Sequence, residues 1–103
     1  MSETTGTRDF KLASGAPGTL TLSGVLSFDT AANALQELRA AVARDGIKQL
    51  DLAGIRRSDS AGLSCIVAVM AESAQGRRPL QVVNMPVGLQ ALAQVCGVDG
   101  LIG

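Results

Sequence analysis

Leu50-Asp51-Leu52-Ala53-Gly54-Ile55-Arg56-Arg57-Ser58-Asp59-Ser60-Ala61-Gly62-Leu63 is the stretch whose reading decides the fold. Residues 47–52 read as a strand with Leu50 and Leu52 on one face, residues 54–59 as a loop, and Asp59-Ser60-Ala61-Gly62 as the opening of a helix. The first N–H groups of a helix lack partners, and the helix dipole is positive at that end. On local chemistry alone, Asp59 or Ser60 is an N-cap there, and a phosphate on Ser60 would also be favoured. Gly62 allows a neighbouring backbone or a partner to come close.

The helix that follows is predicted to run over residues 60–75 and to end at Gly76. At about 100° per residue, Leu63, Ile66, Val67, Met70 and Ala74 share a core-facing side. The opposite side carries Ala61, Cys65, Ala68, Val69 and Glu72, which are small and mostly apolar. A helix that is apolar nearly all round is either buried or docks a partner. In so short a chain the pattern predicts docking, with Asp59, Ser60, Ala61, Gly62, Ser64, Cys65, Ala68 and Glu72 in or beside the contact surface. Arg56 and Arg57 stand beside the motif, either steering an acidic partner or a phosphate or simply solvated.

Upstream, residues 10–13 and 19–23 alternate around a Gly15-Ala16-Pro17-Gly18 turn, which predicts a hairpin. Asp29 or Thr30 then caps a helix built on Leu35, Leu38 and Val42, with Arg39 and Arg44 late in it and Gly46 closing it. Downstream, Arg77-Arg78-Pro79 is a turn with solvated charges, and residues 80–84 are a strand. Met85-Pro86 starts a third helix, with Pro86 in its first turn and Gly97 as its stop. Residues 98–102 read as a short strand or coil, and residues 1–9 as a frayed tail. The order β-β-α-β-α-β-α predicts an α/β domain over residues 10–103, a small mixed sheet of about four to five strands with about three helices packed on it.

Composition narrows the chemistry. The 103 residues suit one domain and carry 9 Lys+Arg against 9 Asp+Glu, with no His and only Phe10 and Phe28 as aromatics. No His means no Ser-His-Asp or Cys-His arrangement and no histidine-bound metal, and Cys65 and Cys96 cannot complete a four-thiolate zinc site. Asp29, Asp51 and Asp59 follow no metal or acid–base spacing and read as capping or solvated acids. Cys65 reads as an inert thiol, and no Gly-rich phosphate loop is present. A neutral chain with few aromatics lacks the field and stacking surface of a nucleic-acid binder. The expectations are therefore no catalysis, no metal and no cofactor. The longest apolar run, residues 65–71, falls short of the about 20 residues that cross a bilayer, so no membrane insertion is expected. The polar start and the two unpaired cysteines point to a cytoplasmic setting.

The strand-loop-helix with Asp59-Ser60-Ala61-Gly62-Leu63 resembles the signature of STAS domains. Thr19-Leu20-Thr21-Leu22-Ser23-Gly24 resembles their second strand, and Val82-Val83-Asn84 with the Val87–Ala93 and Cys96-Gly97-Val98 segments resembles their C-terminal part. The likeness covers roughly residues 10–102 and is nearest to MlaB-type members. It implies a STAS fold and a regulatory subunit that binds the MlaF-like ATPase of an inner-membrane ABC transporter moving phospholipids for outer-membrane lipid asymmetry. The related anti-sigma-factor antagonists imply the alternative, a protein phosphorylated on Ser60 by an anti-sigma-factor kinase. Two departures from the antagonist pattern weaken that alternative. Ala61 stands where a second hydroxyl residue is frequent, and Val25-Leu26-Ser27 stands where an acidic pattern is frequent.

Overall fold

The computed structural model describes residues 10–98, apart from the side chains of residues 44 and 45. The predicted tail, the predicted final segment beyond Val98 and the placing of the Arg44 side chain lie outside what is described. The elements are β1 (Phe10–Ser14), β2 (Thr19–Leu26), α1 (Ala31–Asp45), β3 (Gln49–Ser58), α2 (Ser60–Gln75), β4 (Gln81–Val83) and α3 (Val87–Val95). They form one four-stranded sheet in the order β1-β2-β3-β4. β1 and β2 pair antiparallel as the predicted hairpin, while β2–β3 and β3–β4 are parallel, each joined by a helical crossover.

Alternation decides which face is covered. Leu20, Leu22, Leu50 and Leu52 are buried while Thr21, Ser23 and Asp51 between them are half-buried. Buried residues from all three helices, among them Leu38, Ile66 and Leu89, join these leucines in a single core. Each such fully buried aliphatic side chain contributes about 1.5–3 kcal/mol against leaving it in water. Gly46, with φ +62°, ends α1 in the left-handed conformation that a glycine adopts without strain.

Three local expectations are corrected. Residues 54–58 are not loop: β3 continues to Ser58 because β2 runs alongside it as far as Leu26, which pairs with Ser58. Two register shifts in this stretch blur the alternation, Gly54 lies so close to Ser23 that an added Cβ would stand 2.8 Å from the Ser23 Cβ, and Ile55 reaches the core. Thr30 precedes α1 but makes no side-chain cap bond. Its hydroxyl accepts from Ser27 N at 2.9 Å and donates to the Val25 carbonyl at 3.0 Å, tying the β2–α1 loop to itself. Pro86 occupies the cap position of α3 rather than its first turn, with extended ψ.

A close backbone approach joins α2 to β2. A Cβ at Gly62 would overlap the carbonyl oxygen of Leu26 and stand 2.8 Å from its carbonyl carbon. Gly88 in α3, by contrast, has open space around it. Gly62→Ala is therefore expected to destabilise the domain at or above the upper end of the about 1–3 kcal/mol typical of overpacking. Gly88→Ala should be neutral or stabilising by about 0.5–1 kcal/mol. Urea denaturation midpoints of the two variants check this, and equal midpoints would contradict the contact.

Candidate partner-binding site at the start of helix α2

Because β2 and β3 run parallel and end level with one another, the loops that leave them emerge at one pole of the sheet. Asp59 joins the two. Its extended backbone, φ −139°, leaves the carboxylate free to fold over the helix start. Oδ1 accepts from Ala61 N at 3.0 Å and from Gly62 N at 3.1 Å, and Oδ2 accepts from Phe28 N at 3.1 Å. Asp59 is thus the cap, and Ser60 is the first residue of the helix, exposed to solvent. The Phe28 N–H first, and then the Gly62 N–H, hold the Asp59 carboxyl below the usual carboxylate range. Ser64, one turn on, is exposed and donates its hydroxyl to the Ser60 carbonyl at 2.9 Å.

Phe28 was not foreseen as a site residue. Its side chain is 81% exposed, while its backbone is fixed by Asp59 on one side and by the Thr30-centred loop on the other. The only local signal is a lone aromatic placed between a strand end and a helix cap, outside any apolar period.

The structure brings Asp59, Ser60, Ala61, Gly62 and Ser64 together at this pole, with exposed Arg56 and Arg57 leading into it along β3. Ser60 and Ser64 are exposed, Ala61 is half-buried, and Gly62 faces the sheet. Cys65 does not belong with them. It is buried, as is Val69, because α1 lies along that flank of α2. Burial pushes the Cys65 thiol up to about 11, so it stays protonated and unreactive at neutral pH. Glu72 is exposed but faces α1, where the Arg39 Nε donates to its two carboxylate oxygens at 2.9 and 3.0 Å. Ala74, expected in the core, is exposed. The outward face of α2 is consequently narrower than the pattern suggested and rotated from it, comprising Ser60, Ser64, half-buried Ala68, Ala71 and Gln75.

Asp51 plays a structural part, accepting from Ala53 N at 2.9 Å and from the Asn84 side-chain amide at 3.1 Å. No described helix is long and apolar enough to cross a membrane.

Since the folded Asp59 carboxyl is depressed, its contribution to stability is complete above the unfolded carboxyl value near 3.9 and is lost as pH falls through the lower folded value. Asp59→Asn, also a good cap residue, lacks this titration, so wild type should lose stability relative to it as pH falls below about 4. Asp59→Ala should cost about 1 kcal/mol or more at pH 7. Urea titrations across this pH range test both, and a wild-type-minus-Asn difference that does not change with pH would refute the assignment.

The family model described as "Mlab, STAS domain" matches residues 11–103. No curated protein matches the chain. Among solved structures, the anti-sigma factor antagonist SpoIIAA in its unphosphorylated form is similar, with TM-score 0.62 and 15% identity, over 82% of this chain and 81% of that one. The Bacillus cell fate determinant SpoIIAA in its phosphorylated form gives TM-score 0.65 and 14% identity, over 91% of this chain and 88% of that one. At such identities the likeness concerns the fold, and the β-β-α-β-α-β-α order on a four-stranded sheet agrees with it. With the family model spanning nearly the whole chain, the protein belongs to the MlaB-type STAS domain family.

Proposed function

We propose that this protein is a non-catalytic subunit that binds and regulates the ATPase of an inner-membrane ABC transporter moving phospholipids to maintain outer-membrane lipid asymmetry. Family membership supports the class of partner. The observation that carries a docking role is Phe28, held 81% exposed by the same carboxylate that starts α2. An exposed aromatic on a hydrogen-bonded backbone is a usual kind of binding anchor, since the loop that carries it needs little ordering when the ring is buried. Along α2 from its start, the small outward residues Ser60, Ser64 and Ala68 let a partner backbone come near. Exposed Arg56 and Arg57 favour an acidic rim on that partner. In this reading the protein stays at the cytoplasmic side of the membrane through its complex. The buried, protonated Cys65 and the absence of His from the chain offer no activated nucleophile.

One observation favours a second reading, an antagonist switched by a kinase. Ser60 is exposed as the first residue of α2, on a fold similar to SpoIIAA. Physical chemistry counts against a simple phosphate cap, however. The N–H groups of Ala61 and Gly62 already bind Asp59, so a phosphate on Ser60 would meet a carboxylate before it met free donors.

Co-expression with the cognate ATPase should yield a stable complex. Phe28→Asp and Ala68→Arg should each reduce co-purification about tenfold or more, in line with loss of an interface anchor, while leaving the urea midpoint near that of wild type. Retention by both variants would overturn the docking surface. Phosphate found on Ser60 by mass spectrometry with an active anti-sigma-factor kinase, together with no ATPase binding, would favour the second reading.

A further inference from the structure

The opposite pole of the sheet holds a groove of about 640 Å³ that the docking reading does not use. It is lined by the end of α1 and start of β3 (Gly46, Ile47, Lys48) and by the turn into β4 (Arg77, Arg78, Pro79) with Leu80 and Gln81. The ten residues of β3 separate it from the Ser60 pole, a span of roughly 30 Å. Its two walls are joined by the Gln81 N–H, which donates to the Lys48 carbonyl at 3.0 Å. Buried Ile47 and Leu80 give it an apolar floor.

Lys48, Arg77 and Arg78 line this groove, and no carboxylate is among its described lining residues. Among the described residues, none of the three forms an ion pair. Glu72, near Arg78 in the adjoining hollow, is engaged by Arg39. The C-terminal ends of α1 and α2 do point toward this pole, but each carries only about half a negative charge, together about one unit against three positive. Among the described side chains the balance over the apolar floor is therefore positive. The turn is fixed, with Arg77 N donating to the Ala74 carbonyl at 3.0 Å and Arg78 N to the Ser73 carbonyl at 2.8 Å. Arg77 holds φ +61°, a conformation in which glycine would be relaxed and an arginine is strained.

The geometry points to a binding site for an anionic amphiphile, a phosphate head on an apolar chain, with the head between Lys48, Arg77 and Arg78 and the chain over Ile47 and Leu80. The volume lies within the range of about 300–1,000 Å³ usual for small-molecule sites and far exceeds a bare phosphate. Three cations around one cavity also suit a single compact head better than the spaced charges of an extended acidic peptide.

The test is amide chemical-shift titration of the full chain with octyl phosphate, inorganic phosphate, octyl glucoside and hexaglutamate. Octyl phosphate should shift residues 46–48 and 77–81 saturably, and at least about tenfold more tightly than inorganic phosphate or octyl glucoside, as expected when charge and apolar contact act together. Arg77→Gly removes one cation while relaxing the backbone, so it should fold at least as stably as wild type and bind about tenfold more weakly; Arg78→Gln should bind similarly weakly. Absence of saturation, equal binding of octyl glucoside, or unchanged binding by folded Arg77→Gly overturns the site. Saturation by hexaglutamate without a response to octyl phosphate overturns it in favour of a protein partner. With octyl phosphate bound, sedimentation on phosphatidylglycerol but not phosphatidylcholine vesicles upholds the site and names a membrane lipid as its source. No sedimentation on either upholds it and names a free anion.

Discussion

The backbone contact between Gly62 and the carbonyl of Leu26 sets how closely α2 lies on the sheet, and much else follows from that distance. With a side chain at residue 62, the helix would have to lift from the end of β2. Such a shift would strain the packing of buried Leu63 and Ile66 and the reach of the Asp59 carboxylate, which bonds Phe28 N at 3.1 Å while also capping the helix. One close approach thus couples core packing to the geometry of the exposed pole. Packing and display at that pole cannot be varied independently.

The coupling also explains why an aromatic can stand in solvent without being loose. The loop carrying Phe28 is short and internally bonded, through the Thr30 hydroxyl and through the Ala31 and Thr30 N–H groups, which donate to the Ser27 carbonyl at 2.8 and 3.0 Å. Asp59 adds a bond from outside the loop. The ring is exposed while its backbone is determined on both sides, so a partner that buries it gains apolar contact at a small ordering cost. The small residues along α2 contribute differently, by not obstructing approach.

Elements set by local chemistry were legible in the sequence. The span of α2 from Ser60 to Gln75, the opening hairpin and the Gly46 terminus of α1 all follow from caps, turns and periodicity. What escaped was tertiary. Gly54, Arg56 and Arg57 carry no alternation, and only the neighbouring β2 makes them strand. Helix α2 is apolar nearly all round, so its period could not say which flank α1 would cover, and Cys65 and Val69 were assigned outward although they are buried. In the candidate site, the helix start was readable as a cap at Asp59 or Ser60, and the structure resolves the choice in favour of Asp59. Phe28 was not, because its role depends on a hydrogen bond to a residue on another loop. Arg77 and Arg78 looked like solvated turn charges for a similar reason, since Lys48 is far away in the chain and meets them only across β3 and β4.

A formal net charge of zero conceals how differently the two poles treat an anion. At the start of α2 the helix dipole and the first free N–H groups would ordinarily welcome one. Here Asp59 already occupies Ala61 N and Gly62 N, and its depressed carboxyl keeps it charged over all but acidic pH. Any further negative group must be held by something other than the helix end, which leaves Arg56 and Arg57 as the nearest cations along the chain. At the other pole the helix ends disfavour an anion, yet three cations outweigh them and no described carboxylate intervenes. In the proposed docking reading, the pole that looks like an anion site from its helix geometry instead presents exposed Phe28 and small residues to a protein surface. The pole that looks unfavourable from its helix geometry is the one whose described lining side chains are all neutral or cationic.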